Sequence, residues 1–394
     1  MPPKPGTGSG APRGIARAAC RLAPDMSKLF TPVTLAAPTG PGLDLRNRTV
    51  LAPMCQYSVT QHDGVPHAWH LAHLGARAAG GFGLVFTEAT AVAAAGRISD
   101  ADTGIWNDAQ ASAWAPIVDF IHSQGAAAGI QLAHAGAKAS THPWLPGPIA
   151  AGETGNLPVP GRGWETAGPS ATDAFGLVPA TAMSTGQIAD SVRDWAEAAT
   201  RADAAGFDVA QIHAAHGYLV HEFLSPLANT RTDEYGGSYE NRTRYAREVI
   251  AAVRAAWPAH KPLAIRFSGD DWVAGGWRIA DTVRFAAEAF ELGVSAFDLS
   301  SAGIGKYHGP SGPGFQVPLA AAVKQAVPGA FVTAVGMIND PSQAEQVLVA
   351  GSADGVSIGR AALKNPNWPA VAAAALGSGR DAVPFAPQYW RAHW

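Results

Sequence analysis

One segment of the chain indicates how the rest is built: Phe207-Asp208-Val209-Ala210-Gln211-Ile212-His213-Ala214-Ala215-His216-Gly217-Tyr218. Its first half is short and mostly apolar, which is typical of a β-strand that is covered on both faces. The second half presents two imidazoles and a phenol where this strand ends, and Gly217 lets the backbone turn there. Together these side chains can donate two hydrogen bonds to one oxygen atom and one proton to an atom nearby.

Strands of the same kind alternate with helices from residue 48 onward. Most of the eight candidate strands are apolar on nearly every residue: Thr49–Met54, Gly83–Ala89, Gly129–Ala133, Asp208–His213, Leu263–Ser268, Ala296–Ser300, Phe331–Val335 and Gly355–Ile358. The helices between them carry start signals, such as the capping-box spacing of Ser184 and Gln187 and the N-cap and first-turn proline of Asp340-Pro341. Eight strand–helix units in one chain predict an α/β fold, a (β/α)8 TIM barrel rather than two doubly wound domains.

Three segments fall outside this alternation. The apolar pieces Val33–Leu35 and Leu43–Leu45 predict a hairpin that plugs the bottom of the barrel. The connection between Lys138 and Met183, after the third strand, is rich in Pro and Gly and longer than most loops, which indicates an excursion over the barrel mouth. We expect residues 1–25 to be a disordered N-terminal extension, and residues 26–394 to form a single barrel domain. The alternatives for residues 1–25 are translation from a start codon upstream of the natural one at Met26 and an organelle transit peptide.

Charge and cysteine content exclude several classes of protein. A formal net charge of −3 over 394 residues gives no indication of binding to nucleic acid or to an anionic membrane. No apolar run reaches membrane-spanning length, and Cys20 and Cys55 are too few for a disulfide scaffold, an iron–sulfur cluster or a thiolate zinc site. His213 and His216 lack a third ligand at helical spacing, so no metal site is expected. We therefore expect a cytoplasmic protein.

The active sites of such barrels form at the C-terminal ends of the strands. The seventh and eighth ends carry Gly336 and Gly359, and Arg360 follows the second of these glycines. Loops at these two positions commonly bind phosphate, and backbone N–H groups together with a guanidinium suit an anion. The sequence therefore predicts a phosphate-bearing ligand at this side of the barrel mouth.

Arg266 ends the fifth strand, so its guanidinium should point into the barrel mouth. A buried arginine needs an anionic or electron-rich partner. Two interpretations are open at this point: an ion pair with Glu88 or Asp298, or stabilisation of negative charge on a cofactor ring.

Four motifs resemble those of the old yellow enzyme family: Ala52-Pro53-Met54-Cys55-Gln56-Tyr57-Ser58, Ile130-Gln131-Leu132-Ala133-His134-Ala135-Gly136, His213-Ala-Ala-His-Gly-Tyr218, and His221-Glu222-Phe223-Leu224-Ser225-Pro226 followed by Arg231-Thr-Asp-Glu-Tyr-Gly-Gly237. The resemblance runs from Leu29 to the C-terminus. Cys55, where other branches carry threonine, points to the thermophilic-like subclass. The resemblance implies an FMN-dependent ene-reductase that takes reducing equivalents from NADPH or NADH. Such an enzyme reduces the C=C bond of α,β-unsaturated carbonyl compounds and in some cases nitro compounds.

The resemblance also implies a role for individual residues. Those that would hold FMN are Pro53, Met54, Cys55, Ala89, Gln131, Arg266, Gly336, Gly359 and Arg360. His213 and His216 would bind the carbonyl oxygen of an enone-type substrate while hydride reaches the β-carbon, and Tyr218 would give a proton to the α-carbon. Tyr57 would line the substrate pocket. Arg391 would contact the substrate bound to a neighbouring subunit, which implies a homodimer or a homotetramer.

Two features depart from the family pattern, and two other functions stay open. The segment His134-Ala-Gly-Ala137-Lys138-Ala139 lacks the arginine that the family carries at position 137, and the connection before Met183 is longer than in the subclass. Both bear on nicotinamide preference and substrate size. The alternatives are a flavin-free, phosphate-binding isomerase or aldolase and a non-catalytic FMN-binding barrel. The first of these needs a lysine or a carboxylate base at a strand end, where the sequence offers only Glu88.

Overall fold

Eight parallel strands close into a barrel in the computed structural model, which describes residues 27–172, 174–379, 382–383 and 386–392. All strands in chain order are β1 (Val33–Leu35), β2 (Leu43–Leu45), β3 (Thr49–Leu51), β4 (Leu84–Ala91), β5 (Ala127–Ala133), β6 (Ala167–Gly168), β7 (Thr181–Ala182), β8 (Val209–Ala214), β9 (Leu263–Ser268), β10 (Ala296–Ser300), β11 (Phe331–Ala334) and β12 (Gly355–Ile358). The barrel order is β3-β4-β5-β8-β9-β10-β11-β12, and β12 pairs with β3. The predicted TIM barrel is confirmed.

Helices connect the strands on the outside of the barrel. They are α1 (Ala68–Ala79), α2 (Asp108–Ser123), α3 (Pro146–Ala150), α4 (Thr185–Ala204), α5 (Leu219–Leu224), α6 (Tyr239–Arg242), α7 (Arg244–Ala256), α8 (Ile279–Glu291), α9 (Val317–Ala326), α10 (Pro341–Val349), α11 (Arg360–Lys364) and α12 (Trp368–Ala375). Ser184 accepts from the Gln187 amide before α4, and Asp340 accepts from the Ser342 amide before α10. Both expected caps are present.

The β1–β2 hairpin closes the bottom of the barrel. It is antiparallel, and its buried Leu35 and Leu45 pack in one cluster with residues near the starts of the barrel strands, among them Val50, Leu84 and Val209. Removing these side chains from water is the favourable term that holds the hairpin against the barrel. The position expected for the hairpin is confirmed.

Several strand boundaries differ from the prediction by one to three residues, and two of these differences bear on the site. The first barrel strand, β3, ends at Leu51 rather than Met54, because Pro53 has no N–H to donate to the ladder. The strand β8 continues through His213 to Ala214, where the sequence placed its end at His213. His213 is therefore held by the sheet itself, whereas His216 lies in the following turn.

The long connection after β5 contains α3 and the two-stranded parallel sheet β6–β7. It is fixed to the body of the protein by hydrogen bonds from Nε1 of Trp164 to the Ala95 carbonyl at 2.9 Å and from Arg231 to the Met183 carbonyl at 2.6 Å. The expected N-terminal extension, residues 1–25, lies outside the described residues. Among the helices that the structure describes, none is long and apolar enough to cross a membrane.

Candidate active site

Strand register brings one row of polar side chains to the C-terminal end of the barrel. His213 on β8 is opposite Arg266 on β9, which is opposite Asp298 on β10 and then Thr333 on β11. Nε of Arg266 lies 3.3 Å from Oδ2 of Asp298, while Thr333 and Ser357 donate to the other carboxylate oxygen. Of the two partners that the sequence left open for Arg266, the structure selects Asp298.

His213, His216 and Tyr218 form one cluster above this row. The ring of His213 makes edge contacts with the other two, at centroid distances of 5.2 Å to His216 and 5.1 Å to Tyr218. His216 has a left-handed backbone, with φ of 60°, and its amide donates to Oγ of Ser268. Nδ1 of His213 is buried and has no protein partner among the described residues, so it can bond a ligand in the site.

Both imidazoles of the cluster are neutral. Burial, reinforced by the positive charge of Arg266, holds the pKa of His213 and of His216 well below the ordinary histidine value. Nε2 of His216 is 2.7 Å from Oγ of Ser300, and that oxygen accepts from the amide of Gln316 at 3.1 Å. When the Ser300 hydroxyl donates to Nε2, the proton of His216 is on Nδ1, which is then the ring's remaining donor.

The phenol of Tyr218 keeps its proton at any ordinary pH. Burial raises its pKa well above 10, and the nearby Cys55 and Asp102 add to the effect. Tyr57 and Cys55 pack in the same small apolar cluster as Tyr218. The ammonium of Lys138 lies 5.0 Å from the centre of the Tyr218 ring, and burial lowers the pKa of that lysine to about 8. Tyr218 is therefore an acid with a cation beside its ring.

A buried histidine and aspartate support the turn that carries the cluster. The Gly217 amide donates to Nδ1 of His221 at 2.9 Å, which leaves the ring proton on Nε2. Nε2 lies 3.0 Å from Oδ1 of Asp271, although the N–H does not point directly at that oxygen. The second oxygen of Asp271 accepts from Ser225 and from the amide of Trp277. Both His221 and Asp271 are fully buried, so the contact is electrostatically strong despite its angle.

A cavity of about 290 Å³ lies at the ends of β11 and β12. Gly336, Gly359, Arg360 and Gln316 are on its wall, and Arg266 reaches it from β9. Gly336 has φ of 115°, and a Cβ there would meet Oε1 of Gln316 at 2.7 Å. Only glycine suits this position, which leaves the backbone open to a ligand.

The other residues that the sequence assigned to a cofactor border the same region. Met54 follows β3, and its sulfur would lie 3.6 Å from a Cβ on Gly359. Ala89 on β4 is opposite Gln131 on β5, whose amide donates to Gln211. Arg360 lies at a cavity of the size of an anion and suits the phosphate of a flavin mononucleotide. The amide of Gln131 and the segment Pro53-Met54-Cys55 suit the polar edge of its ring.

Several residues that contact or support the cluster could not be identified from the sequence. In the sequence Ser300 can be recognised only as the end of a strand. Nothing there indicates Gln316 or Asp271, because their contacts join distant parts of the chain. The carboxyl of Glu222, fully buried, accepts from the Ala137 amide at 2.8 Å.

Arg391 is exposed on the 3-10 helix Pro387–Ala392, and its expected contact with another subunit stays a prediction.

Comparisons with known proteins agree with this geometry. The profile of the NADH:flavin oxidoreductase / NADH oxidase family matches residues 28–377, and the chain belongs to this family. It is 43% identical over 353 residues to an NADPH dehydrogenase of Bacillus cytotoxicus, covering 89% of this chain and 93% of the relative. With the NADPH dehydrogenase of Bacillus subtilis it shares 41% identity over 366 residues, or 92% and 98% of the two chains.

Two solved structures have the same fold. Morphinone reductase aligns with a TM-score of 0.72 and 26% identity, over 93% of this chain and 94% of its own. The old yellow enzyme homologue from Zymomonas mobilis aligns with a TM-score of 0.71 and 26% identity, over 92% and 98%. The resemblance to the old yellow enzymes is confirmed: the protein is an FMN-dependent oxidoreductase of this type. That result excludes both the flavin-free isomerase or aldolase and the non-catalytic barrel.

Proposed function

We propose that the enzyme uses NADPH or NADH to reduce the C=C bond of α,β-unsaturated carbonyl compounds. The observation that carries the proposal is the cluster of His213, His216 and Tyr218 at the mouth of a barrel that also has a cavity suited to an FMN phosphate. The NADPH dehydrogenases among the relatives support the choice of reductant.

The two histidines bind the substrate's carbonyl oxygen. Each ring is neutral and therefore has one N–H, and a pair of such donors stabilises the negative charge that develops on a conjugated oxygen during reduction. A donor of this kind contributes roughly 3 kcal/mol in a site from which water is excluded. In this proposal the Ser300 hydroxyl, 2.7 Å from Nε2 of His216, donates to that nitrogen, which leaves Nδ1–H as the donor to the substrate. FMN, when bound through Arg266, Gln131 and the Gly336–Arg360 cavity, supplies the hydride.

Tyr218 then gives its proton to the α-carbon. A general acid contributes roughly 10²–10⁴-fold to such a step, and the raised pKa of Tyr218 ensures that the phenol is protonated when substrate arrives. The ammonium of Lys138 beside the ring stabilises the phenolate that remains. Nitro compounds are a second class of substrate, because paired N–H donors can bind a nitro oxygen in the same way.

The half-reactions test this assignment separately. We expect NADPH to reduce the bound flavin at equal rates in the native enzyme and in Tyr218→Phe. Reoxidation by 2-cyclohexenone should be about 10²-fold slower or more in that variant. His213→Ala should lose phenol binding, which is seen as loss of the long-wavelength charge-transfer absorption. If enone turnover survives in the variant that combines His213→Ala with Tyr218→Phe, the assigned roles are wrong.

We also propose that the enzyme is a homodimer or homotetramer in which Arg391 reaches the substrate site of a neighbouring subunit. The exposed position of Arg391 on the C-terminal 3-10 helix supports this. Arg391→Ala should raise KM for enones and leave the oligomer mass in light scattering unchanged. A monomeric native enzyme would contradict the proposal.

A further inference from the structure

The long connection after β5 lines a second cavity, of about 430 Å³, which is open to solvent and has Tyr218 on its wall. Its wall includes Trp144 and Ile149 from one part of the connection and Phe175 and Leu177 from another. At about 30 Å³ for a water-sized group, the cavity holds roughly 14 non-hydrogen atoms. This space is additional to the cavity that fits the FMN phosphate, which has a separate lining.

Tyr218 belongs both to the catalytic cluster and to the wall of this second cavity. Gly303, also on the wall, packs so closely on the turn that a Cβ there would lie 2.1 Å from the carbonyl carbon of His216. The cavity therefore borders the cluster of His213, His216 and Tyr218. Because we propose that Tyr218 gives its proton to the α-carbon, a substituent on that carbon is the part of a substrate nearest to this wall.

The charged groups on the wall already have partners. Lys138 donates to the His216 carbonyl at 2.7 Å and faces the rings of Tyr218 and Phe175 at 5.0 and 5.5 Å. Glu153 lies 3.9 Å from His142. The Glu153 side chain is 54% exposed to water, so neither charged group is buried without a partner. The remaining side chains on the wall are mainly apolar or aromatic, which suits an uncharged part of a ligand.

We infer that the enzyme acts on enones that carry a bulky, uncharged, apolar or aromatic group on the α-carbon, and that this group occupies the cavity lined by the long connection. The inference rests on the proposed ene-reductase function. It names the class of substrate for that same site.

The test compares 2-cyclohexenone with 2-phenyl-2-cyclohexenone, which differ by one aryl group on the α-carbon. Leu177→Trp and Ile149→Trp fill the cavity from two sides, and both residues are on the connection rather than in the barrel. Val178→Trp is the matched control, because Val178 is 66% exposed and is not on the cavity wall. Flavin content shows that each variant is folded.

We expect both cavity-filling variants to lower kcat/KM for the phenyl enone by about tenfold or more, as for a side chain that closes a substrate pocket. Their kcat/KM for 2-cyclohexenone, and both values in Val178→Trp, should stay within about twofold. Equal activity of all variants on the phenyl enone would overturn the inference, as would failure of the native enzyme to reduce it while 2-cyclohexenone is reduced. If flavin is reduced by NADPH but neither enone reoxidises it, the proposed function fails and the inference fails with it.

Discussion

The buried contact between His221 and Asp271 allows a test of how the turn that carries His216 and Tyr218 is held in place. His221 accepts from the Gly217 amide through Nδ1 and faces Asp271 through Nε2. In His221→Asn, the side-chain oxygen can replace Nδ1 as the acceptor for the Gly217 amide. In His221→Gln, the side-chain NH2 can replace Nε2 as the donor that faces the Asp271 carboxylate. The two variants therefore separate the contact to the turn from the contact to the aspartate.

The magnitudes follow from the burial of both groups. The close contact of His221 with the buried Asp271 charge contributes at most the roughly 1.5–3 kcal/mol of a hydrogen bond to a charged group, and a buried amide left unpaired costs about 1–3 kcal/mol. His221→Ala loses both contacts and should reduce the free energy of unfolding by roughly 3–5 kcal/mol. Each of the two single-contact variants should lose about half of that. Urea denaturation of the FMN-loaded enzyme measures these differences.

Catalysis should respond to only one of the two contacts. His216 and Tyr218 flank Gly217, and a displacement of about 1 Å can cost 10²-fold in rate. We expect His221→Gln, which leaves the Gly217 amide without its acceptor, to slow flavin reoxidation by an enone about tenfold or more. His221→Asn should slow it much less at a similar stability. Flavin reduction by NADPH is the control that both variants should pass. If the two variants reoxidise at the same rate, the Gly217 hydrogen bond does not position the site and the reasoning is refuted.

Three further predictions concern neighbouring groups. Ser300→Ala removes the partner of His216 and should slow enone-driven reoxidation about threefold to tenfold, as for one lost hydrogen bond, with flavin content unchanged; an unaltered rate contradicts the tautomer assignment. Burial raises the pKa of Glu222 well above 4.5 in the folded protein. The contribution of the protonated carboxyl to the free energy of unfolding is therefore complete below the pKa of the unfolded state. It declines as pH rises through the pKa of the folded state, by at most about 1.4 kcal/mol per pH unit. Glu222→Gln should therefore be more stable than the native enzyme in urea at pH 9 but not at pH 5, and parallel pH profiles would rule this out. Lys138 loses its charge above its pKa of about 8, so reoxidation should slow above that pH in the native enzyme and stay flat in Lys138→Met; a decline in both would assign it to another group.

The barrel could be predicted from the sequence because its signals are local. Each strand is a short apolar run, and start signals such as Ser184 with Gln187 lie within a few residues of one another. The hairpin of Val33–Leu35 and Leu43–Leu45 has the same character. The exact strand ends could not be predicted in this way, since the end of β8 at Ala214 depends on pairing with Phe267 of β9, which is 53 residues further along the chain.

The cluster that we propose to be catalytic could be predicted for a similar reason, whereas the residues that support it could not. His213, His216 and Tyr218 lie within six residues at a strand end, so chemistry and position appear together in the sequence. The groups that define their protonation and orientation come from other strands and loops. Ser300 and Asp271 are in this set. Their roles follow from the register of the barrel and from the packing of α5, neither of which a single sequence contains.

In this protein the reaction and the range of substrates are determined by different parts of the chain, the strand ends and the long connection. Its location over the barrel mouth could be inferred from its length and its place after the third strand. Its shape depends on contacts with remote residues, such as those of Trp164 with Ala95 and of Met183 with Arg231. The strand ends determine the chemistry, because the barrel holds them rigidly. The side chains on the connection determine which group fits beside Tyr218, and they can change without disturbing a single barrel hydrogen bond.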